Sequence, residues 1–330
     1  MVLAAEPGRA DTALRGSDDS RVRHPDRDQR ELGWGVVCHV SGTDGPAMAF
    51  ERTIRLAQVA EDAGYGSFWV AQHRFGTDDA HLPSPLLLLA ALARETDRIA
   101  LGTASISAAL EHPRRLAEDA AVVDMLSGGR LELGLGSGSD PIASTAWGLD
   151  HDRRHGRFWE VVDELRGLLV GAIHPRLHPP APDLMDRLWI TAGSSETVLH
   201  AAGRGLGLIA GRRRVRPGNI PAQEDLRVAA LFDTFTAAGG GKIAVSRPLV
   251  ATEESSVADW VAAEERRVRG LGAPLTISTG TAAHILDALS ADPGVRRADR
   301  VLVHTRPIDV PHQVEETSLR MLVDRRAGGS

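Results

Sequence analysis

The sequence has little of several residue types, and each shortage excludes a class of protein. Cys38 is the only cysteine of 330 residues, so no disulfide can form within the chain, as is usual in the reducing cytosol. No apolar run approaches the roughly 20 residues that a membrane-spanning helix requires. The formal net charge is −6, which argues against a binding surface for nucleic acid or another polyanion.

Two further kinds of signal are missing. No group of His, Cys, Asp and Glu has the spacing of metal ligands, and no nucleophile elbow occurs, so we predict neither a metal site nor a serine hydrolase. Residues 1–31 are charged throughout and lack the apolar segment of a signal peptide. We therefore expect a disordered N-terminal extension over 1–31, one folded domain over 32–330 and a cytoplasmic protein.

From Gly33 onward, apolar runs alternate with amphipathic segments, which is the pattern of βαβ units around a parallel sheet. Eight runs are predicted as strands: 33–40, 66–71, 98–106, 131–136, 187–193, GLGLIAG ending at Gly211, 242–251 and 300–305. This count predicts an α/β fold, a single (β/α)8 TIM barrel. Two long loops, 137–152 and 212–223, should form the wall of its pocket. The segment 271–299 is an insertion before the last strand.

In such a barrel the carboxyl ends of the strands form the face that carries the chemistry. His73 follows the second strand, and Thr103, Ala104 and Ser105 lie in the third, where small residues allow a flat ligand to approach the backbone. Structural explanations are also open. A single histidine is often held by a loop carbonyl, and small residues also permit close packing.

The end of the fifth strand is the best candidate for a phosphate site. Gly193 and Ser194 follow this strand, and a helix begins at about Ser195, where unpaired N–H groups and the helix dipole favour an anion. Ser194 or Ser195 could at the same time cap the helix. A basic run at 212–216, with arginines at 212, 213, 214 and 216, is either a solvated surface or a second support for the anion.

Several stretches resemble the bacterial-luciferase-like flavin monooxygenases: FWVAQHRF (68–75), LPSPL, LSGGRLELGLG and the PPAP that precedes RLW. The resemblance is strong over 33–211 and looser beyond. It implies an enzyme that uses reduced flavin mononucleotide (FMN) and dioxygen to oxidise a small organic substrate. It also implies a separate flavin reductase as partner.

The resemblance also implies roles for particular residues. His73 would be the acid/base, and Gln72 replaces the acidic residue that usually precedes it. A cis peptide between Ala104 and Ser105, next to Thr103, would support the flavin ring. The flavin phosphate would be bound by Gly193, Ser194 and Thr197, with Ser137 standing where some members have an arginine.

Two alternatives to this function stay open. One is a hydride-transferring oxidoreductase that uses reduced deazaflavin, which occurs in the same superfamily. The other is a non-catalytic flavin-binding or partner-binding relative, because Gln72 and Ser137 depart from the family pattern.

The segment SPLLLLAALARE (84–95) has no charge between Pro85 and Arg94. An outer barrel helix should be polar on its outward side, so these leucines predict a homodimer through the second and third helices. The family is known to pair through the same edge. A neighbouring loop or the N-terminal extension could instead cover the leucines.

Overall fold

The strands of this chain close into a parallel barrel. The computed structural model describes residues 32–42, 44–75, 80–212, 221–270, 277–305 and 309–327. The strands are β1 (Gly33–His39), β2 (Ser67–Ala71), β3 (Ala100–Thr103), β4 (Ile106–Ser107), β5 (Leu131–Gly136), β6 (Leu188–Thr191), β7 (Gly207–Gly211), β8 (Ile243–Ala251), β9 (Ser278–Gly280) and β10 (Arg300–His304). β10 pairs with both β1 and β8, which closes the sheet on itself. The predicted (β/α)8 barrel is confirmed.

Helices surround this barrel. They are α1 (Pro46–Asp62), α2 (Pro85–Glu95), α3 (Pro113–Leu126), α4 (Pro141–Ala146), α5 (Arg154–Leu169), α6 (Ser195–Ala202), α7 (Pro221–Ala237), α8 (Ser255–Gly270), α9 (Ala282–Ala291) and α10 (His312–Ala327). Several begin at a proline, which costs nothing there because the first N–H of a helix has no intrahelical acceptor. Proline is therefore the first residue of five of these helices: α1, α2, α3, α4 and α7.

Three details differ from the sequence prediction. The third strand is not continuous over 98–106, since it is divided into β3 and β4. The stretch 137–152 is not simply a loop, because it contains α4 and a short 3₁₀ turn. The insertion at 271–299 supplies β9, which pairs with the end of β8, and α9. The predicted extension 1–31 and the arginines at 213, 214 and 216 lie outside the described residues.

Two tryptophans fill the interior of the barrel. Trp69 of β2 and Trp189 of β6 are buried and meet edge to face, with ring centroids 5.8 Å apart. Glycines make room for them, because a Cβ at Gly102 would lie 2.2 Å from the Trp69 ring and one at Gly207 would lie 2.5 Å from the Trp189 ring. The alternation of glycine and tryptophan across neighbouring strands therefore determines how this core packs.

An ion pair lies close to the two tryptophans. Arg300 at the start of β10 donates from Nη1 to Glu132 Oε2 over 2.7 Å, and its guanidinium lies 5.9 Å from the centroid of Trp69 and 5.5 Å from that of Trp189. Both charged groups are satisfied by each other, as burial requires. The packed interior leaves the carboxyl ends of the strands as the face where a ligand can enter.

Candidate active site

A cavity of about 320 Å³ opens at the carboxyl ends of the strands. This volume lies at the lower end of the range for small-molecule sites. Its wall combines apolar side chains with hydroxyl groups, two histidines and one arginine. The residues that line it are Val37, His39, Ala104, Thr191, Ala192, Gly193, Ile209, Gly211, Arg212, Ser246 and His304. Six strands or their ends contribute, so the cavity exists only when the barrel is closed.

One side of the cavity is the gap between β3 and β4. The Ala104–Ser105 peptide is cis, as the sequence resemblance implied, and Ala104 lines the cavity. Thr103 is fully buried, and its hydroxyl donates to Gly134 O over 2.7 Å and accepts from Gly134 N over 2.9 Å. The side chain of Thr103 thus replaces backbone pairing where the strand leaves the sheet. Ser105 lies over Gly136, where a Cβ would come within 2.6 Å of its Oγ.

The predicted phosphate turn also lies at the cavity, at the end of β6. Gly193 lines the cavity, and Ser194 is the N-cap of α6, accepting from Thr197 N over 3.3 Å. The hydroxyls of Ser194 and Thr197 are 3.0 Å apart. Gly193, Ser194 and Thr197 therefore form one polar rim at a helix N-terminus. The same geometry serves as cap and as a possible anion site.

Arginines surround this turn, each paired with a carboxylate. Arg212 lines the cavity and makes a bidentate ion pair with Asp225, at 2.7 and 2.9 Å. Arg227 is bonded to Glu224 and donates to the carbonyl oxygens of Gly193 and Gly211, at 3.4 and 3.0 Å. The positive charge predicted after the sixth strand is thus present at the cavity through Arg212. Arg227 brings a second guanidinium that the sequence prediction missed.

Three histidines meet at the cavity mouth. His39 at the end of β1 and His304 at the end of β10 line the cavity, and their rings stack with centroids 4.4 Å apart. His73 follows β2 and its Nε2 lies 2.8 Å from His39 Nδ1, which is a hydrogen bond between the two rings. His73 itself is not among the residues that line the cavity. The predicted acid/base therefore reaches the cavity through His39.

With this geometry in place, comparison with known proteins identifies the family. The family model described as luciferase-like monooxygenase matches residues 31–289. The chain belongs to this family. The match covers all of the cavity-lining residues except His304.

Luciferase-like relatives are moderately similar in sequence. The uncharacterized protein y4wF of Sinorhizobium fredii is 32% identical over 196 residues, 53% of this chain and 55% of that protein. The 4-hydroxyprotoasukamycin monooxygenase of Streptomyces nodosus subsp. asukaensis is 36% identical over 136 residues, 40% and 35% of the two chains. The oxygenase component of a flavin-dependent trigonelline monooxygenase from Acinetobacter baylyi is 33% identical over 100 residues, 30% and 28%. The chain spans about half the length of the first relative and about a third or less of the others.

Solved structures confirm the luciferase-like fold. The monooxygenase RslO1 from Streptomyces bottropensis has a TM-score of 0.74 at 20% identity, over 90% of this chain and 99% of that one. The oxygenating constituent of 3,6-diketocamphane monooxygenase from Pseudomonas putida, in complex with FMN, scores 0.72 at 14% identity, over 90% and 98%. The coenzyme F420-dependent tetrahydromethanopterin reductase of Methanopyrus kandleri scores 0.64 at 14% identity, over 89% and 99%. At these identities the likeness establishes the fold alone.

In this luciferase-like protein, two of the predicted cofactor residues, Ala104 and Gly193, line the cavity. The other six are not among the lining residues: Gln72, Thr103, Ser105, Ser137, Ser194 and Thr197. The Gln72 amide donates to Pro83 O over 2.9 Å and accepts from Ser107 N over 2.8 Å, so it bridges the β2 loop to β4. Ser137, half-buried after β5, is also not among the lining residues. The substitution at Gln72 is explained by this bridge, because an amide can donate to one backbone group and accept from another whereas a carboxylate cannot donate.

An exposed tryptophan of the segment 137–152 contacts the residues that follow β2. Trp147 follows α4 and is exposed, with the Arg74 guanidinium 4.9 Å from its ring centroid and Phe75 at 6.5 Å. Arg74 is also ion-paired with Glu111. No residue of 137–152 is among those that line the cavity, so the contribution of this segment to the pocket wall stays a prediction.

Sequence reasoning missed His39 and His304, although a signal was available. Each is the last residue of its strand, in a run that alternates between inward and outward positions, as in Gly35, Val37 and His39. Polar residues at the carboxyl ends of barrel strands are the ones expected to face the site.

No cluster of three or more His, Cys, Asp or Glu in the described part of the chain could hold a metal ion, the three histidines included. None of the helices described is both long and apolar enough to cross a membrane.

Proposed function

We propose that this protein is the oxygenase of a flavin-dependent monooxygenase system, using reduced FMN and dioxygen on a small organic substrate. The observation that carries the proposal is that one cavity is lined both by Ala104, next to the cis peptide, and by Gly193, at the helix-capping turn. A flavin needs both, since its ring is flat and apolar and its phosphate is an anion.

The Gly193 turn fits a phosphate in three respects. The first N–H groups of α6, at residues 195 and 196, have no acceptor within the helix. The hydroxyls of Ser194 and Thr197 stand beside them, and the Arg227 guanidinium reaches Gly193 O. A Cβ on Gly193 would meet no atom within 4 Å, so the space over the turn is open. Helix N-termini of this kind bind phosphate in many proteins.

One charge at the turn has the opposite sign. Glu196 lies in the first turn of α6 and is exposed. A carboxylate there competes with a bound anion for the positive end of the helix dipole. Its removal should therefore strengthen the binding of a phosphate, which provides a matched control for variants that weaken it.

The ring end of the cavity fits the chemistry of oxygenation. Reduced flavin would supply the electrons, and dioxygen the oxygen atom that the substrate receives. Val37, Ala104 and Ile209 form an apolar wall that keeps water away from the reacting groups. The histidines at the mouth can hold and transfer the proton that the reaction requires. The resemblance assigns that role to His73.

The test is anaerobic titration of the purified protein with photoreduced FMN. We expect saturable binding that Ser194→Ala weakens by about tenfold, because one hydrogen bond to a charged group contributes about 1.5 kcal/mol. Glu196→Gln should bind more tightly than the wild type. Binding no tighter than millimolar would refute the proposal. Unchanged affinity in both variants would show that the phosphate does not bind at the Gly193 turn.

The same titration separates the alternative cofactor. Reduced deazaflavin should bind more weakly than reduced FMN, whereas the reverse order would assign the chain to the hydride-transferring oxidoreductases. If both cofactors bind, and dioxygen oxidises neither bound cofactor faster than the same cofactor free in solution, the chain is a non-catalytic flavin-binding relative.

We also propose that a separate reductase delivers the reduced FMN. One relative is named as the oxygenase component of its system, which implies a second component there. NADH and FMN without a reductase should support no dioxygen consumption by this protein, and adding a purified flavin reductase should restore it.

A homodimer through α2 and α3 completes the proposal. The two helices pack against each other and both expose apolar side chains, with Leu87 76% and Met125 62% exposed, while Leu88 is buried. Val122 and Leu126 extend this surface on α3. Light scattering should give twice the 35.2 kDa of one chain. Leu87→Glu should yield the monomer and Leu226→Glu, which alters an exposed leucine of α7, should not.

A further inference from the structure

The histidines at the cavity mouth are arranged in an order that assigns them different roles. His39 lines the cavity, whereas His73 is not among the lining residues and is joined to His39 by a hydrogen bond of 2.8 Å. His304 is stacked on the His39 ring with an angle of 28° between the planes. His39 is thus held by two neighbours from two other barrel strands or strand ends.

The hydrogen bond restricts how the two rings carry protons. One of the two facing nitrogens must bear the hydrogen and the other must accept it. If both rings were fully protonated, two N–H groups would face each other across 2.8 Å with like charge. The pair therefore takes up one proton readily and a second only at a cost, which makes it a coupled unit.

The geometry points to His39, and not His73, as the group that exchanges a proton with molecules bound in the cavity, with His73 as its relay. This inference rests on the proposed function, since it names the proton-transfer group of that same site. When His39 Nε2 takes a proton from a bound molecule, the hydrogen on Nδ1 passes to His73 Nε2. The positive charge then resides on His73, outside the cavity wall, and the reverse transfer returns the proton.

Each part of the arrangement has a separate function in this scheme. His39 is the catalytic residue because it lines the cavity. His73 acts through His39 and is a positioning residue and proton acceptor. His304 restricts the rotation of the His39 ring by stacking on it.

Other charged and titratable groups face the pair from the surrounding elements. They are His304 on β10, Arg212 after β7 with its partner Asp225, Arg74 with its partner Glu111, and His81, whose ring bonds to Gly42 O. The two arginines are each compensated by a carboxylate.

The first test needs neither flavin nor substrate. In uniformly ¹⁵N-labelled wild-type protein, a scalar coupling through the hydrogen bond should connect His39 Nδ1 with His73 Nε2. On acidification the coupling should be lost as the second proton binds. His73→Phe should abolish it and leave His39 with a single titration step. Absence of the coupling in the wild type would overturn the inference.

The second test asks which ring the cavity presents. Diethyl pyrocarbonate, which acylates accessible imidazoles, should modify His39 before His73 in the wild-type protein, as read by peptide mapping. Preferential modification of His73 would overturn the inference.

Protection by reduced FMN addresses the proposed function separately. If His39 reacts first and reduced FMN does not slow the reaction, the proposed cofactor fails while the order of the histidines stands.

The third test distinguishes proton transfer from a structural role. The rate at which dioxygen reoxidises reduced FMN bound to the protein should depend on pH in the wild type. His39→Phe should lose this dependence, and His73→Phe should displace it. His73→Gln keeps a hydrogen-bonding group near the Nε2 position but cannot accept a proton, so its profile should also be displaced from that of the wild type. A wild-type profile in His73→Gln would show that His73 only positions the His39 ring and would overturn the relay. If the two phenylalanine variants share one profile, His39 and His73 have no separate roles and the assignment fails. Should His39→Phe not fold, His39→Asn serves in its place.

Discussion

Replacing Thr103 by valine tests whether this residue holds the strand together or contacts the cofactor. Valine has the same shape but no hydroxyl, so Gly134 N and O both lose their partner inside a fully buried site. Each unpaired backbone group costs about 1–3 kcal/mol. The added methyl offsets about 1 kcal/mol through burial. We therefore expect Thr103→Val to lower the free energy of unfolding by about 2–4 kcal/mol.

Thr103→Ser is the matched control, because it keeps the hydroxyl and removes only a methyl group, at a cost of about 1 kcal/mol. Urea unfolding followed by circular dichroism gives both values. Thr103→Val should be the less stable variant although it loses no packing volume. If it is less than 1 kcal/mol below wild type, or more stable than Thr103→Ser, the hydroxyl does not replace backbone pairing, and the reasoning is refuted.

Two further predictions concern the core and an ion pair. Gly102→Ala should destabilise the barrel by about 1–3 kcal/mol, because its Cβ would meet the Trp69 ring, and Trp69→Phe should recover part of that loss in the double variant. At Asp292, burial would raise the carboxyl pKa, but hydrogen bonds from Arg247 and from two backbone N–H groups outweigh it and lower the pKa. A lowered pKa stabilises the folded state at pH values above the pKa of the carboxyl in the unfolded chain, which is about 4. This contribution is lost as the pH falls through the pKa of the carboxyl in the folded protein. At pH 7 the unfolding free energy of Asp292→Asn should thus be lower than that of the wild type. Between pH 6 and pH 3 it should fall less than the wild-type value does. Equal pH dependence in both proteins would contradict this reasoning.

The sequence alone determined the architecture and much of the cofactor prediction. Eight apolar runs separated by helical segments leave few alternatives to a barrel, because each strand must bury both faces and each crossover must cover the sheet. Proline and glycine positions marked helix starts and ends because their backbone preferences are local. The proposed phosphate turn at Gly193 and Ser194 also rests on a local pattern, since a strand end and a helix start follow one another directly.

Only the tertiary structure decided which residues share the cavity. His39 and His304 are 265 positions apart along the chain, and they meet because β10 pairs with β1 when the barrel closes. Thr103 and Gln72 are predicted at the cofactor, and the tertiary structure adds that their side chains bond to backbone groups of a neighbouring strand and of a nearby loop. These backbone groups need side-chain partners because β3 and β4 separate at this point, and no local sequence pattern predicts that separation. Long-range strand pairing therefore places His39, and not His73, in the cavity wall.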